Sequence, residues 1–274
     1  MAMRLAICTK ILQDYEMAEA VRIAADIGYE GLEIFGVPGH LPDDVRDGKV
    51  EALAKQLGDL GMEAVTLCTY VGMFSQKSDD ECLQEVEKFR RYLEIAGELE
   101  CDMIRVQPGG PAVPSEARED HWARAVHYEQ VCCDLALPCD IGVVMENNFG
   151  LSATVDSSLE MIADVNRPNL GINYDPGNLY RMAEYYGVAA LARFGDLVWN
   201  VQVKDCYKDD QVDDYQRLLG EGEVDYEAIV RWLADDEYDG YLSAECHREP
   251  DEKMGAQDIA RHEFEAMKKL VEKA

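Results

Sequence analysis

The sequence predicts an α/β fold, a single closed (β/α)8 barrel of parallel strands, and three observations carry that prediction. Short apolar or β-rich runs alternate with amphipathic stretches along the whole 274-residue chain, the rhythm of parallel βα units. Barrels of about 250 residues are routinely one domain, so residues 1–274 are read as one barrel domain without an internal linker. Neither a dinucleotide glycine fingerprint nor a phosphate-binding GK[ST] loop is present, which removes the main open-sheet readings.

The elements follow in order. LAICTK reads as the first strand, and Met17 to Ile27, with Ala18, Val21, Ala24 and Ala25 on one side, as its helix. GLEIFG is the second strand, followed by a Pro/Gly/His loop from Val37 to Asp44 and a helix from about Lys49 to Leu60. MEAVTLCTYVG is the third, before a long helix from Asp79 to Leu99. CDMIRVQPGGP is the fourth, and its Pro- and Gly-rich exit predicts a sharp turn. A helix from about Ser115 to Leu137 leads into the fifth strand, IGVVMENN. The next helix, Ser157 to Val165, ends before Arg167-Pro168, as helices tend to do. LGINYDPGN and a helix around Val188 to Phe194 come next, then LVWNVQVKD and a longer loop from Cys206 to Glu223. Asp225 is placed to cap the following helix, with Val224 and Ile229 as a hydrophobic staple. YDGYLSAECH and a helix from Ala256 to Glu272 complete the eight units.

Composition narrows the function classes. No apolar run approaches the roughly 18 residues that span a bilayer, and MAMRLAICTK reads as a strand rather than a signal segment. The nine cysteines lack C-x-x-C spacing; as free thiols, with Cys8, Cys68, Cys132 and Cys133 in or near the core, they suit a reducing cytoplasm. A formal net charge of −29, spread along the chain, argues against nucleic acid, whose binding rests on Lys and Arg against phosphates. Adaptation to high salt is one reading of the acid excess. Nine cysteines and ordinary hydrophobicity do not favour it.

Four polar residues stand at the C-terminal ends of the last four strands: Glu146, Asp175, Gln202 and Glu245. In a parallel barrel those ends meet on one open face, where such enzymes keep their chemistry. Strand alternation turns Val144, Asn173, Asn200, Lys204 and Ser243 to the same side. Three carboxylates around one centre repel strongly unless a cation sits between them. The alternative is that each caps a neighbouring helix or faces solvent. Two Glu, one Asp and one amide carbonyl are hard oxygen donors that suit Mg²⁺ or Mn²⁺ better than Zn²⁺, with positions left for a substrate's oxygens.

At these strand ends the chain resembles the xylose isomerase-like TIM barrel superfamily, the AP-endonuclease family 2 fold of sugar phosphate isomerases and epimerases. GYEGLEIFG, DPGN, the V-x-V-K-D strand and GEGEVDYEAIVRWLADDEYDGYLSAE carry the resemblance along nearly the whole chain. It implies a cytoplasmic enzyme of carbohydrate metabolism, an isomerase or epimerase with one Mn²⁺ or Mg²⁺ held by Glu146, Asp175, Gln202 and Glu245. It further implies proton transfer through an enediolate, with Glu146 and Glu245 as the catalytic acid/base pair, which of them is the base being left open. Gln202 stands where the superfamily usually has His, as in some dehydratase members. Asn178 stands where many members carry a substrate-contacting His; Asn donates a hydrogen bond but shuttles no proton.

Lys204, His40, Arg105 and Asn178 are the candidate substrate-binding residues, on a small-molecule sugar or polyol. A salt bridge to Asp205 is the alternative for Lys204, and a barrel-interior ion pair for Arg105. His247 is a weaker candidate, and His121, His127 and His262 are expected on the surface. Alternative functions are a dehydratase of the inosose or 3-dehydroshikimate type and a partner-dependent subunit of a C-glycoside-cleaving complex. A DNA-repair endonuclease needs many zinc-binding histidines, and this chain has five in all. No membrane partner is expected, and self-association into a homo-oligomer is left open.

Overall fold

In the computed structural model, which describes residues 3–111, 117–182, 185–208 and 217–274, the apolar runs become strands and the amphipathic runs helices. The strands are β1 (Arg4–Cys8), β2 (Gly31–Phe35), β3 (Glu63–Cys68), β4 (Met103–Arg105), β5 (Gly142–Glu146), β6 (Leu170–Tyr174), β7 (Val198–Val203) and β8 (Tyr241–Ala244). The helices are α1 (Met17–Ile27), α2 (Asp47–Leu60), α3 (Asp79–Glu98), α4 (Arg118–Ala136), α5 (Val155–Val165), α6 (Pro176–Arg181), α7 (Val188–Phe194), α8 (Tyr226–Asp235) and α9 (Ala256–Lys273). Each strand pairs in parallel with the next, and β1 closes on β8 with Arg4 opposite Tyr241.

Period-two alternation divides each strand between two environments. Ile7, Leu32, Ile34, Ile104, Met145, Ile172, Val201 and Leu242 are buried in the shell between strands and helices. Ala6, Val65 and Tyr241, with Met103 against them, form a separate cluster that fills the barrel floor. At Gly171 an added Cβ would stand 2.3 Å from the Trp199 ring, so glycine is what lets that indole pack against β6.

Local chemistry sets the helix ends. Ser78 and Glu81 form a reciprocal capping box at the start of α3, and Asp225 accepts from Ala228 N at the start of α8, as expected. Val224 and Ile229, the expected staple, are both buried in the shell. Strand β3 ends earlier than its sequence suggests because Thr69 leaves the ladder: its hydroxyl donates to Arg105 O at 2.6 Å and accepts from Val71 N. The expected start of the fourth helix at Ser115 lies outside the described residues, as does 209–216 of the loop after β7. Helix α6 was not anticipated, and it bears directly on the site. Among the described residues no helix is long and apolar enough to cross a membrane. Eight of the cysteines are buried as free thiols, and Cys139 is exposed.

Candidate metal centre

The parallel ladder delivers Glu146 as the last residue of β5, Asp175 just past β6, Gln202 near the end of β7 and Glu245 just past β8. All four are buried. One carboxylate oxygen from each of Glu146, Asp175 and Glu245 lies within 4.8 Å of the other two.

Asp175 divides its two oxygens between structure and site. Oδ1 accepts the Asn178 backbone N–H at 3.0 Å and caps α6, whose first residue, Pro176, has its φ preset for a helix. Helix capping, the alternative raised from sequence, thus holds for one oxygen. The other, Oδ2, lies 2.7 Å from Lys204 Nζ and accepts no aligned hydrogen bond. Gly177 makes the arrangement possible, since a Cβ there would stand 2.3 Å from the Lys204 carbonyl oxygen.

Two cations and an amide hold the carboxylates. Lys204 Nζ is 2.8 Å from Glu245 Oε2, which bridges Asp175 and Glu245 through one ammonium. Its alternative partner Asp205 instead accepts backbone N–H groups from Gly220, Gly222 and Val224, and so ties down the loop after β7. Arg105 donates to Glu146 Oε2 at 2.6 Å, the interior ion pair, and its guanidinium stands 5.4 Å from the Tyr70 ring centre. Asn178 Nδ2 donates to Glu146 Oε1 at 2.9 Å. Both oxygens of Glu146 are therefore engaged from protein donors.

Titration follows from burial and charge. Burial alone would raise the Glu245 carboxyl, but Lys204, then His247 and Arg105, outweigh it and hold the group well below the usual carboxylate range. Asp175 is pushed up to about 7 by burial, with Glu146 and Glu245 adding to the rise against the Lys204 charge. Both acids share one ammonium, so they titrate as a coupled pair.

Beneath this layer lies a residue that sequence reasoning passed over. Glu33, on β2, is fully buried and accepts hydrogen bonds from Asn200 Nδ2 at 2.8 Å and Asn173 Nδ2 at 3.3 Å on one oxygen. Its other oxygen accepts from Gln202 Nε2 at 3.2 Å. Burial, then the nearby Glu245 charge, pushes its carboxyl up to about 8. The signal was present: one acid inside GLEIF, a strand buried at every position.

The remaining histidines separate. His40 does not join the cluster: it is buried, Nδ1 is 2.8 Å from Thr9 Oγ1 and Nε2 3.3 Å from Tyr15 O. Burial lowers its pKa. His247 does approach, with Nε2 3.8 Å from Glu245 Oε1 and 3.2 Å from Lys10 Nζ. His121, expected on the surface, is completely buried, because α4 packs between α3, α5 and the turn Phe74–Gln76. His127 is exposed, as expected, and His262 is half-buried. Cavity size does not locate the site: a 510 Å³ cleft between α8, α9 and the loop before α8 lies outside the barrel.

The residues fit a divalent ion. Three buried carboxylates share one space, Gln202 Oε1 is a buried acceptor with no hydrogen-bond partner, and the donors are all hard oxygens. The sequence model of the xylose isomerase-like TIM barrel family matches residues 21–270, and the chain belongs to that family. An uncharacterized protein of Methanocaldococcus jannaschii is 28% identical over 172 residues, a stretch covering 58% of this chain and 56% of that protein. The chain thus matches little more than half the length of this relative. Among solved structures, the fold is shared with a protein described as IolI with a bound zinc atom (TM-score 0.86, 18% identity, 99% of each chain). It is also shared with a probable 3-DHS dehydratase of Bacillus anthracis (0.81, 20% identity, 97% of this chain and 99% of that one). A 3-keto-D-glucoside 4-epimerase of E. coli matches likewise (0.77, 18% identity, 98% of each).

Proposed function

We propose that this protein is a cytoplasmic, divalent-metal-dependent isomerase or epimerase of a sugar or polyol, with Mn²⁺ or Mg²⁺ held by Glu146, Asp175, Gln202 and Glu245. The observation that carries the reading is the convergence of three buried carboxylates beside an unpartnered amide oxygen at the barrel mouth. The metal, when bound, supplies the Lewis acidity that makes a C–H beside a carbonyl acidic enough to lose its proton.

The protein's own groups do the rest. Glu245, held ionised, serves as the base that takes the proton. Glu146, fixed by Arg105 and Asn178, would stand on the opposite side and deliver a second proton taken up from solvent, while Glu245 keeps the one it abstracted and later loses it to solvent. The Lys204 ammonium offsets negative charge on the enediolate oxygen as it develops. Asn178 cannot shuttle a proton, so it positions.

Gln202 also favours a second reading, a dehydratase acting through the same proton abstraction. One experiment separates the two. The manganese-loaded protein is incubated in D2O with ketoses, inososes and 3-dehydroshikimate. Deuterium in a recovered or epimerised sugar supports the isomerase or epimerase; a rising ultraviolet absorbance from a conjugated enone (inososes) or an aromatic product (3-dehydroshikimate) supports the dehydratase. Neither signal from protein shown to hold manganese would sink both.

A further inference from the structure

Lys10 stands at the same end of the barrel as the candidate centre, in the 3-10 turn Thr9–Leu12 that follows β1. Its half-buried ammonium lies 3.2 Å from His247 Nε2 and 3.4 Å from Nδ1, with the Phe35 ring centre 5.8 Å away. Among the described residues no carboxylate stands within ion-pairing distance of it, although the chain carries 55 acidic residues against 26 basic ones. Arg105 and Lys204 at the same mouth are matched to Glu146, Asp175 and Glu245. His247 Nε2 is 3.8 Å from Glu245 Oε1, so one imidazole nitrogen separates the Lys10 ammonium from the carboxylate cluster.

We propose that the substrate carries an anionic group, a carboxylate or a phosphate ester, away from its reacting carbonyl, and that Lys10 with His247 receives it. The inference rests on the metal-dependent reading above and narrows its substrate class. Charge at the mouth supports it. Three carboxylates against Arg105 and Lys204 leave one negative charge; a divalent ion turns that into one positive, and Lys10 adds a second. Counting Glu33 as ionised lowers the total by one and leaves the sign unchanged. A neutral sugar would leave this excess uncompensated in a buried site, whereas an anion balances it. The −29 net charge does not decide the matter, because exposed charges beyond about 8 Å are largely screened at physiological salt. Local partners decide.

D-fructose, D-fructuronate and D-fructose 6-phosphate share one 2-keto skeleton and differ at C6 as hydroxymethyl, carboxylate and phosphate. Their affinities for the manganese-loaded protein are measured by titration calorimetry, after manganese stoichiometry has been established for each variant. At least one anionic ketose is expected to bind about tenfold or more tighter than D-fructose, the size of a charge-assisted contact. Which one does so distinguishes carboxylate from phosphate. Lys10→Met should remove the preference, and Lys10→Arg should keep most of it. Equal affinities, no binding by either anion, or a preference that survives Lys10→Met overturns the proposal. If the wild-type protein takes up no manganese, the metal centre fails instead, and the two failures are told apart.

Discussion

Gln202 Nε2 donates to Glu33 Oε2 at 3.2 Å, deep in the barrel, and leaves Gln202 Oε1 buried without a donor. When Glu33 is ionised it can only accept, which turns the amide nitrogen down and leaves the oxygen for the candidate centre. Asn173 and Asn200 hold Glu33 in turn. Outer partners of this kind typically change metal affinity about 10- to 100-fold. Glu33→Gln, close in shape but able to accept on one atom only, should weaken manganese binding by about tenfold or more. The measurement is a manganese titration followed by electron paramagnetic resonance, with the melting temperature as a control. Unchanged affinity in a folded variant would remove Glu33 from this role.

Replacing Gln202 itself gives a sharper test of the donor set. Gln202→His should preserve folding and shift selectivity toward Zn²⁺ or Co²⁺, because imidazole is the softer donor. Competition between Mn²⁺ and Zn²⁺ reads this directly. An unaltered ratio would mean that position 202 does not touch the ion.

Asp175 ties metal binding to pH. Burial chiefly, with Glu146 and Glu245 nearby, pushes its carboxyl up to about 7 against the Lys204 charge in the metal-free site. A metal ligand must be deprotonated, so binding expels that proton when pH lies below about 7 and expels none well above it. Manganese affinity should therefore fall as pH drops through neutrality. Calorimetry in buffers of different ionisation enthalpy should count close to one proton released at pH 6 and almost none at pH 8.5.

Much of this arrangement could be read in the sequence, and the reasons for the rest are physical. The barrel and the positions of its strand-end carboxylates followed from hydrophobic periods and turn chemistry, which act locally. Helix α6 did not, because six residues, PGNLYR, hold too few turns to show a period. Nor did the division of labour at Asp175, where one oxygen caps and the other faces the centre. Glu33 was hidden for a different reason: its burial depends on amides from β6 and β7, well over a hundred residues away in sequence. Likewise the burial of His121 is decided by neighbouring elements on several sides of α4, not by α4 alone.

A second buried acid on α4 makes a stability prediction. Glu129 is fully buried, neither carboxyl oxygen has a hydrogen-bond partner, and burial raises its pKa to about 8. A carboxyl whose folded pKa exceeds its unfolded value of 4.5 holds its proton more tightly when folded. Its contribution is therefore complete below about 4.5 and is lost as pH rises through about 8. The melting temperature of the metal-free protein should fall over that window. Glu129→Leu should flatten the decline and stabilise the protein at pH 8 by on the order of 2 kcal/mol. An unchanged slope would show that this carboxyl finds a partner as it ionises.

In the proposed mechanism the two glutamates carry the chemical step, and their variants separate it from metal binding. Glu146→Gln and Glu245→Gln each keep an oxygen donor but lose the charge and the capacity to carry a proton. Either change should cut turnover by about 10²–10⁴, the range for general acid–base catalysis. Metal affinity should fall much less than in Asp175→Ala, which removes both the donor and the cap of α6. The variants should also differ from one another. Glu245 is the carboxylate held ionised beside Lys204, so Glu245→Gln should stop solvent deuterium entering the carbon next to the carbonyl. Glu146→Gln, lacking the group on the opposite side, should still exchange deuterium while failing to complete turnover. Exchange lost in Glu146→Gln and kept in Glu245→Gln would reverse the assignment of base and acid. Near-normal turnover in both folded variants would remove the proton-transfer mechanism, even with the metal bound as expected.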